Sequence, residues 1–194
     1  MEPQVNDCPR LRRWTRREYD HLIELGFFQD ERLELLDGIL AVREPQGSRH
    51  NATIRRVVET LRGALGDAWQ IDSQFAIALD DDSEPEPDVA VVPRDPHMYR
   101  DAHPSDPRLV IEVAESSYRI DHDYKSSLYA RAGVPEYWLI DVVSDRVEVH
   151  RAPEAWSEAA VGWRYESVVT LDRSATVTPA FAPGVTISVA DLLP

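Results

Sequence analysis

Glu112 is a carboxylate set inside the aliphatic run LVIEVA, residues 109–114. Burying a lone carboxylate either shifts its pKa or demands a partner. Thirteen residues on stands Lys125, the only lysine among the 21 basic residues. An ammonium is a compact point charge, unlike the planar fork of arginine, so a single lysine in an arginine-rich chain marks a place where that difference can count. Asp88 ends the acidic tract DDDSEPEPD, residues 80–88, and opens the apolar VAVV. If these two apolar runs are neighbouring strands, Asp88 and Glu112 converge. Two carboxylates in one site need a proton or a metal ion between them, and oxygen-only ligation suits magnesium, with manganese as a substitute. The competing reading is a structural ion pair between Glu112 and Lys125, or a surface pair of Lys125 with Asp121 one helical turn away.

The elements that must position these groups are legible in part. LVIEVA is apolar on both faces, the pattern of a strand covered on both sides. A helix from about Asp121 to Ala132, closed by Gly133 with Pro135 beyond, places Tyr124, Lys125, Leu128, Tyr129 and Ala132 on one stripe. That stripe aims Lys125 toward the sheet. Earlier in the chain, Thr15 and Glu18 fit a capping box for a helix that Gly26 can end. RLELLDGILAV reads as a hairpin turning at Asp37-Gly38, with Glu34 on its first strand. Ile54, Val57, Val58, Leu61 and Leu65 follow helical spacing within residues 48–65. A strand is expected from Trp69 to Leu79, then an exposed, extended acidic connection over 80–88. After VAVV, residues 93–107 read as a proline-rich loop. EYWLID, RVEVHR, Arg164–Leu171 and Val185–Val189 complete the strand candidates, and the order of elements points to a mixed α/β sheet flanked by helices rather than regular βαβ winding.

With 194 residues and 43% hydrophobic content, the expectation is one domain over 1–194, with residues 1–13 as a flexible arm. No stretch resembles a signal peptide or a membrane span, which implies a soluble, cytoplasmic protein with no membrane partner. The single cysteine, Cys8, is given no role. The net charge of −14 argues against a general nucleic-acid binder. Its distribution matters, however: through Arg62 there are 11 basic and 11 acidic residues, against 10 and 24 in the remainder. A nucleic-acid surface would therefore lie toward the N-terminal third, where Arg10, Arg12, Arg13, Arg16 and Arg17 form one cluster and Arg49, Arg55, Arg56 and Arg62 another. Solvated helix faces are the simpler account of the same arginines.

Pro87-Asp88, followed 24 residues later by Glu112 in an apolar strand, resembles the signature of the PD-(D/E)xK nuclease superfamily. More narrowly, PEPDVAVV, LVIEVAESS, the D-x-x-x-K of Asp121 to Lys125 and YARAGVPEYWLID together resemble the Uma-two family of restriction-endonuclease-like proteins. The resemblance runs from the LELLDG hairpin to the EYWLID strand. It implies a restriction-endonuclease-like α/β core and a magnesium-dependent endonuclease acting on nucleic acid, DNA in the first instance, as a homodimer. Asp88 and Glu112 would hold the metal, and Glu34 would join as an acidic residue from an early element. The sequence departs from the superfamily where the lysine of E-x-K would stand, at Ala114, and the resemblance implies that Lys125 supplies the ammonium from the helix instead. Glu34 has an alternative as an exposed carboxylate paired with Arg32 or Arg43. His50 reads as a surface histidine and Gln74 as a group satisfying a sheet edge. The alternative function is an inactive nuclease-fold module that binds nucleic acid or a protein.

Overall fold

The structure is a computed structural model that describes residues 11–95, 100 and 102–194. Cys8, Arg10 and most of the expected arm lie outside the described residues, as do 96–99 and 101 of the loop after VAVV.

Helix α1, Arg16–Glu24, opens on the expected capping box: the Glu18 N–H donates to the Thr15 hydroxyl, and the Glu18 carboxylate accepts from the Thr15 N–H. Strands β1, Leu33–Leu36, and β2, Ile39–Val42, form the hairpin. Its turn needs positive φ at both central residues, and Asp37 (51°) and Gly38 (75°) supply it. Helix α2 spans Ser48–Leu65, as its spacing predicts.

Six strands form the main sheet: β3 (Trp69–Asp72), β4 (Val89–Pro93), β5 (Leu109–Ala114), β6 (Glu136–Asp141), β7 (Arg146–Ala155) and β8 (Trp163–Asp172), lying side by side in chain order. Only β5 and β6 run parallel. A short pair, β9 (Thr176–Val177) and β10 (Ile187–Ser188), closes the chain. One face of the sheet carries Val89, Val91, Leu109, Ile111 and Val113, which pack under the Ile54, Val57, Leu61 stripe of α2. The other carries Ala90, Val92, Val110 and Ala114, covered by Tyr129 and Ala130 of helix α3, Ser126–Arg131. Each fully buried aliphatic side chain contributes about 1.5–3 kcal/mol, so β5, buried at all six positions, is fixed in register from both sides.

Three expectations are corrected. The strand begun at Trp69 ends at Asp72, because Gln74 takes a left-handed φ of 58° and turns the chain, leaving Phe75 exposed. The acidic tract is not an exposed connection: Ser83, Glu84, Pro85, Pro87 and Asp88 are buried beneath the hairpin, where Leu35 and Glu84 exchange backbone hydrogen bonds of 3.3 and 2.8 Å. The helix expected from Asp121 begins instead as a π-turn, Ile120–Lys125, in which the Ser126 N–H bonds the Asp121 carbonyl, before continuing as α3.

The arginine clusters serve largely as fasteners. Arg13 pairs with Asp37, while Arg49, Arg56 and Arg62 donate to the carbonyls of Val142, Asp191 and Ile71. No helix among the described residues is long and apolar enough to cross a membrane.

Candidate active site

The antiparallel register of β4 on β5 pairs Val89 with Ile111, so the next step along sets Asp88 opposite Glu112. Both side chains project from the α3 face, by the period of two. The π-turn crosses above them and lowers Lys125, and β1 brings Glu34 from the hairpin. All four residues expected at the site are brought together. They are buried, with relative exposures of 4% for Glu34, 3% for Asp88, 2% for Glu112 and 7% for Lys125.

The Lys125 ammonium lies 3.0 Å from Glu112 Oε1 and 3.3 Å from Glu34 Oε2. Asp121 accepts from the Ser117 hydroxyl, and Arg32 pairs with Glu86 rather than with Glu34; of the alternative partners expected for Glu34, Arg43 does stand 3.9 Å from its Oε1, but inside the buried site and not on the surface. Glu112 Oε1 also accepts from the Tyr129 hydroxyl at 2.7 Å, and its Oε2 from the Asp88 N–H at 3.2 Å. Asp88 Oδ2 accepts from the Val113 N–H at 2.9 Å. Ala114, where the superfamily lysine would stand, is buried in the core.

Sequence reasoning missed the rest of the ring around Asp88. His50, expected on the surface, is buried, with Nε2 3.0 Å from Asp88 Oδ2. Arg43 reaches Asp88 Oδ1 at 3.3 Å and Glu86 at 2.9 Å. Gln46 donates to Asp88 Oδ1 at 3.2 Å, and Gln74 does not satisfy a sheet edge but donates to Gln46 at 2.6 Å. One signal was available for His50: it shares a helical face with Ile54, Val57 and Leu61, so it had to point inward.

The electrostatics follow from crowding charges out of water. Burial pushes Glu112 up to about 8, assisted by Asp88, Asp121 and Glu34 and opposed by Lys125. Burial also raises Asp121, to about 6. Burial works against ionisation of Asp88, but the His50 hydrogen bond and charge, the Val113 N–H and Lys125 outweigh it and hold its pKa low. For Lys125, burial favours the neutral amine, yet Glu112, Glu34, Asp121 and Asp88 overcome that and raise its pKa, so it stands as an ammonium. Burial likewise opposes protonation of His50, and the Asp88 hydrogen bond and charge reverse it.

Asp88, Glu112, Glu34, Lys125 and Asp121 line a cavity of about 180 Å³. Among the described residues, no group of three or more His, Cys, Asp or Glu side chains could by itself hold a metal ion. Magnesium does not require one, since it takes one or two carboxylates and completes its shell with water. Two converging carboxylates on the wall of a polar cavity fit that requirement.

The chain is matched over residues 16–190 by the model of the Uma-two family (Uma2), described as "Putative restriction endonuclease". Among solved structures it is similar to one described as a putative nuclease belonging to DUF820 from Anabaena variabilis. That likeness has a TM-score of 0.62 at 17% identity and covers 84% of this chain and 90% of the other. At that identity it is a likeness of fold: a mixed sheet flanked by helices. No curated protein matches the chain. Since the family model covers nearly the whole of the sequence, from α1 to the last turn, the chain belongs to the Uma-two family.

Proposed function

We propose that this protein is a magnesium-dependent endonuclease that hydrolyses phosphodiester bonds of DNA. The observation that carries the reading is the convergence of Asp88, Glu112 and Lys125 on one cavity wall, in a chain whose family is described as restriction-endonuclease-like. Asp88 and Glu112, with the Val113 carbonyl, would hold the metal. When bound, magnesium supplies Lewis acidity toward the phosphate and lowers the pKa of water in its shell.

The protein's own groups do the rest. Lys125 carries its proton, held there by four neighbouring acidic groups, Glu112, Glu34, Asp121 and Asp88, so it is a donor and not a base. It orients the attacking water and offsets negative charge that develops on the phosphorus oxygens. Glu34 is the second carboxylate on the Lys125 ammonium, at 3.3 Å. Tyr129 fixes the Glu112 carboxylate by one short hydrogen bond. Cutting both strands of a duplex takes two such sites, which two copies of the chain supply as a homodimer. Light scattering coupled to gel filtration reads that directly, and a monomer at working concentration that still cuts both strands at one step excludes it.

The central test is cleavage of plasmid DNA with and without Mg²⁺ or Mn²⁺. Wild type should nick or cut only with metal, and Asp88→Ala and Lys125→Ala, assayed at a temperature where circular dichroism shows each to be folded, should do neither. Retained activity in either variant removes these residues from the mechanism.

A second reading has its own observation: every oxygen of Asp88 and Glu112 already accepts a hydrogen bond or ion pair from Arg43, Gln46, His50, Lys125, Tyr129 or backbone. A site closed in this way suits a nuclease-fold module that binds nucleic acid or a protein without metal. Metal-independent binding to DNA together with no cleavage of any nucleic acid selects it.

A further inference from the structure

The π-turn that carries Lys125 touches a second buried carboxylate as well as the first. Register alone aligns them: Glu112 of β5 lies beside Leu139 of β6, and Leu139 beside Glu148 of β7. All three face the same side of the sheet, so the two glutamates stand two strand spacings apart, roughly 10 Å, with Leu139 between them. Lys125, near the end of the turn, sits on Glu112. His122, three residues earlier, brings Nε2 to 3.6 Å from Glu148 Oε2.

Glu148 is 4% exposed and gathers the approach to the turn around it. The Tyr118 hydroxyl donates to its Oε1 at 2.8 Å, and Arg146 stands 3.5 Å from the same oxygen. His150, buried on the same strand, places Nε2 3.4 Å from Oε2. The Tyr118 ring stacks on that of His122 at 5.3 Å with 22° between planes, which ties the approach, two residues before the turn, to a residue within it. A π-turn has poorer intrinsic stability than the α-helix it replaces and is kept in place by its surroundings. Its intrahelical pattern also shifts every following side chain around the axis, so whatever fixes the turn fixes the direction of Lys125.

We propose that Glu148 is a positioning residue: through Tyr118 and His122 it anchors the π-turn, and so holds the Lys125 ammonium over Glu112. The catalytic consequence rests on the nuclease reading above; the placement of Lys125 does not. Because the chain has one lysine, lysine labelled with ¹⁵N and ¹³C gives a single side-chain resonance from the 194-residue chain. In wild type, burial and the two carboxylates should slow exchange of the ammonium protons with water and displace the signal from that of free lysine. Glu148→Ala and His122→Ala, in protein that keeps its dispersed amide spectrum, should accelerate that exchange by about tenfold or more and move the signal toward free lysine. Glu148→Gln, which keeps an acceptor for Tyr118, should restore most of the wild-type signal. Tyr118→Phe deletes one hydroxyl and decides the matter if Glu148→Ala does not fold.

An unchanged lysine signal in folded His122→Ala and Tyr118→Phe overturns the proposal. In the cleavage assay the same variants should lose roughly 10- to 100-fold in kcat with little change in KM. If wild type cleaves nothing, the nuclease reading fails, while the lysine spectrum still tests the anchoring.

Discussion

Asp88 and Glu112 are locked to each other through their strands: the Asp88 N–H donates to Glu112 Oε2 at 3.2 Å, and the Val113 N–H donates back to Asp88 Oδ2 at 2.9 Å. The carboxylates therefore belong to the hydrogen-bonded joint between β4 and β5 as much as to the cavity. This separates two substitutions that would otherwise look alike. Asp88→Asn keeps an acceptor for Val113 and should fold, losing at least about 10²-fold of metal-stimulated cleavage. Asp88→Ala also strips the carboxylate partner from buried His50, while Arg43 keeps Glu86, and should cost about 3–5 kcal/mol of stability. Urea unfolding of the two variants beside the cleavage assay checks both. Equal stabilities would mean that the backbone lock carries no weight.

The protonation of Glu112 gives a pH dependence with a definite sign. Its pKa is raised from an ordinary 4.5 to about 8, first by burial. A carboxylate that holds its proton more tightly when folded contributes stability that is fully present below its unfolded value and is lost as pH rises through the folded one. The window is therefore pH 4.5 to 8. Asp88, held below its ordinary value, acts in the opposite sense and only in acid, while the raised Lys125 acts only in alkali. The urea midpoint of wild type should fall between pH 6 and pH 8.5, and that of Glu112→Gln should change less. On the nuclease reading proposed above, magnesium would compete with the same proton, so its affinity, read by calorimetry, should rise over the interval. A metal affinity flat from pH 6 to 8.5 would remove Glu112 from the ligand set.

What the sequence disclosed was mostly local. Thr15 with Glu18, Asp37 with Gly38, and the α2 stripe each declare their conformation within a few residues. Glu112 and Lys125 were conspicuous because each contradicts its surroundings, and a doubly covered strand beside an inward-facing helix stripe was enough to join them. The failures are long-range. The acidic tract looked exposed because its charges repel, yet Leu35, some 50 residues earlier, pairs with the backbone of Glu84, and Arg43 with Arg32 answers Glu86. Gln74 turns left-handed in the middle of an unbroken alternation of strand-like residues, and its amide is used by Gln46. The π-turn leaves no mark in the sequence, because Lys125 and Tyr129 still fall four apart on one stripe whether or not the turn before them is α-helical. His50 is a single polar residue whose partner, Asp88, comes from another element.

Lys125 offers a test of charge against shape. Lys125→Met fills the same space without an ammonium, leaving Glu112 and Glu34 close together and buried. Breaking a buried ion pair from one side costs about 3–5 kcal/mol, part of which the protein recovers by protonating a carboxylate. The loss should thus be larger at pH 9 than at pH 5. Lys125→Arg keeps the charge but brings a planar fork too large for one oxygen of each partner. It should recover part of the stability and little of the cleavage. Thermal melts at the two pH values distinguish these outcomes. A Met variant as stable as wild type at pH 9 would show that the ion pair contributes nothing to the fold.

Tyr129 separates the carboxylate's orientation from its charge. Its hydroxyl donates 2.7 Å to Glu112 Oε1, the oxygen that also meets Lys125, and burial with the adjacent Glu112 pushes its own pKa far up, so it remains a donor throughout the working range. Tyr129→Phe removes that one hydrogen bond and leaves the ring packed against Tyr137. A hydrogen bond to a charged group is worth about 1.5–3 kcal/mol, and the loss should appear chiefly where Glu112 is ionised, above about pH 8. Magnesium affinity should weaken for the same reason, because the neutral form of Glu112 gains at the expense of the ligand form. Calorimetric titration of Tyr129→Phe at pH 8.5 reads the effect directly. Metal binding as tight as wild type there would mean that Lys125 and the Asp88 N–H suffice to aim the carboxylate.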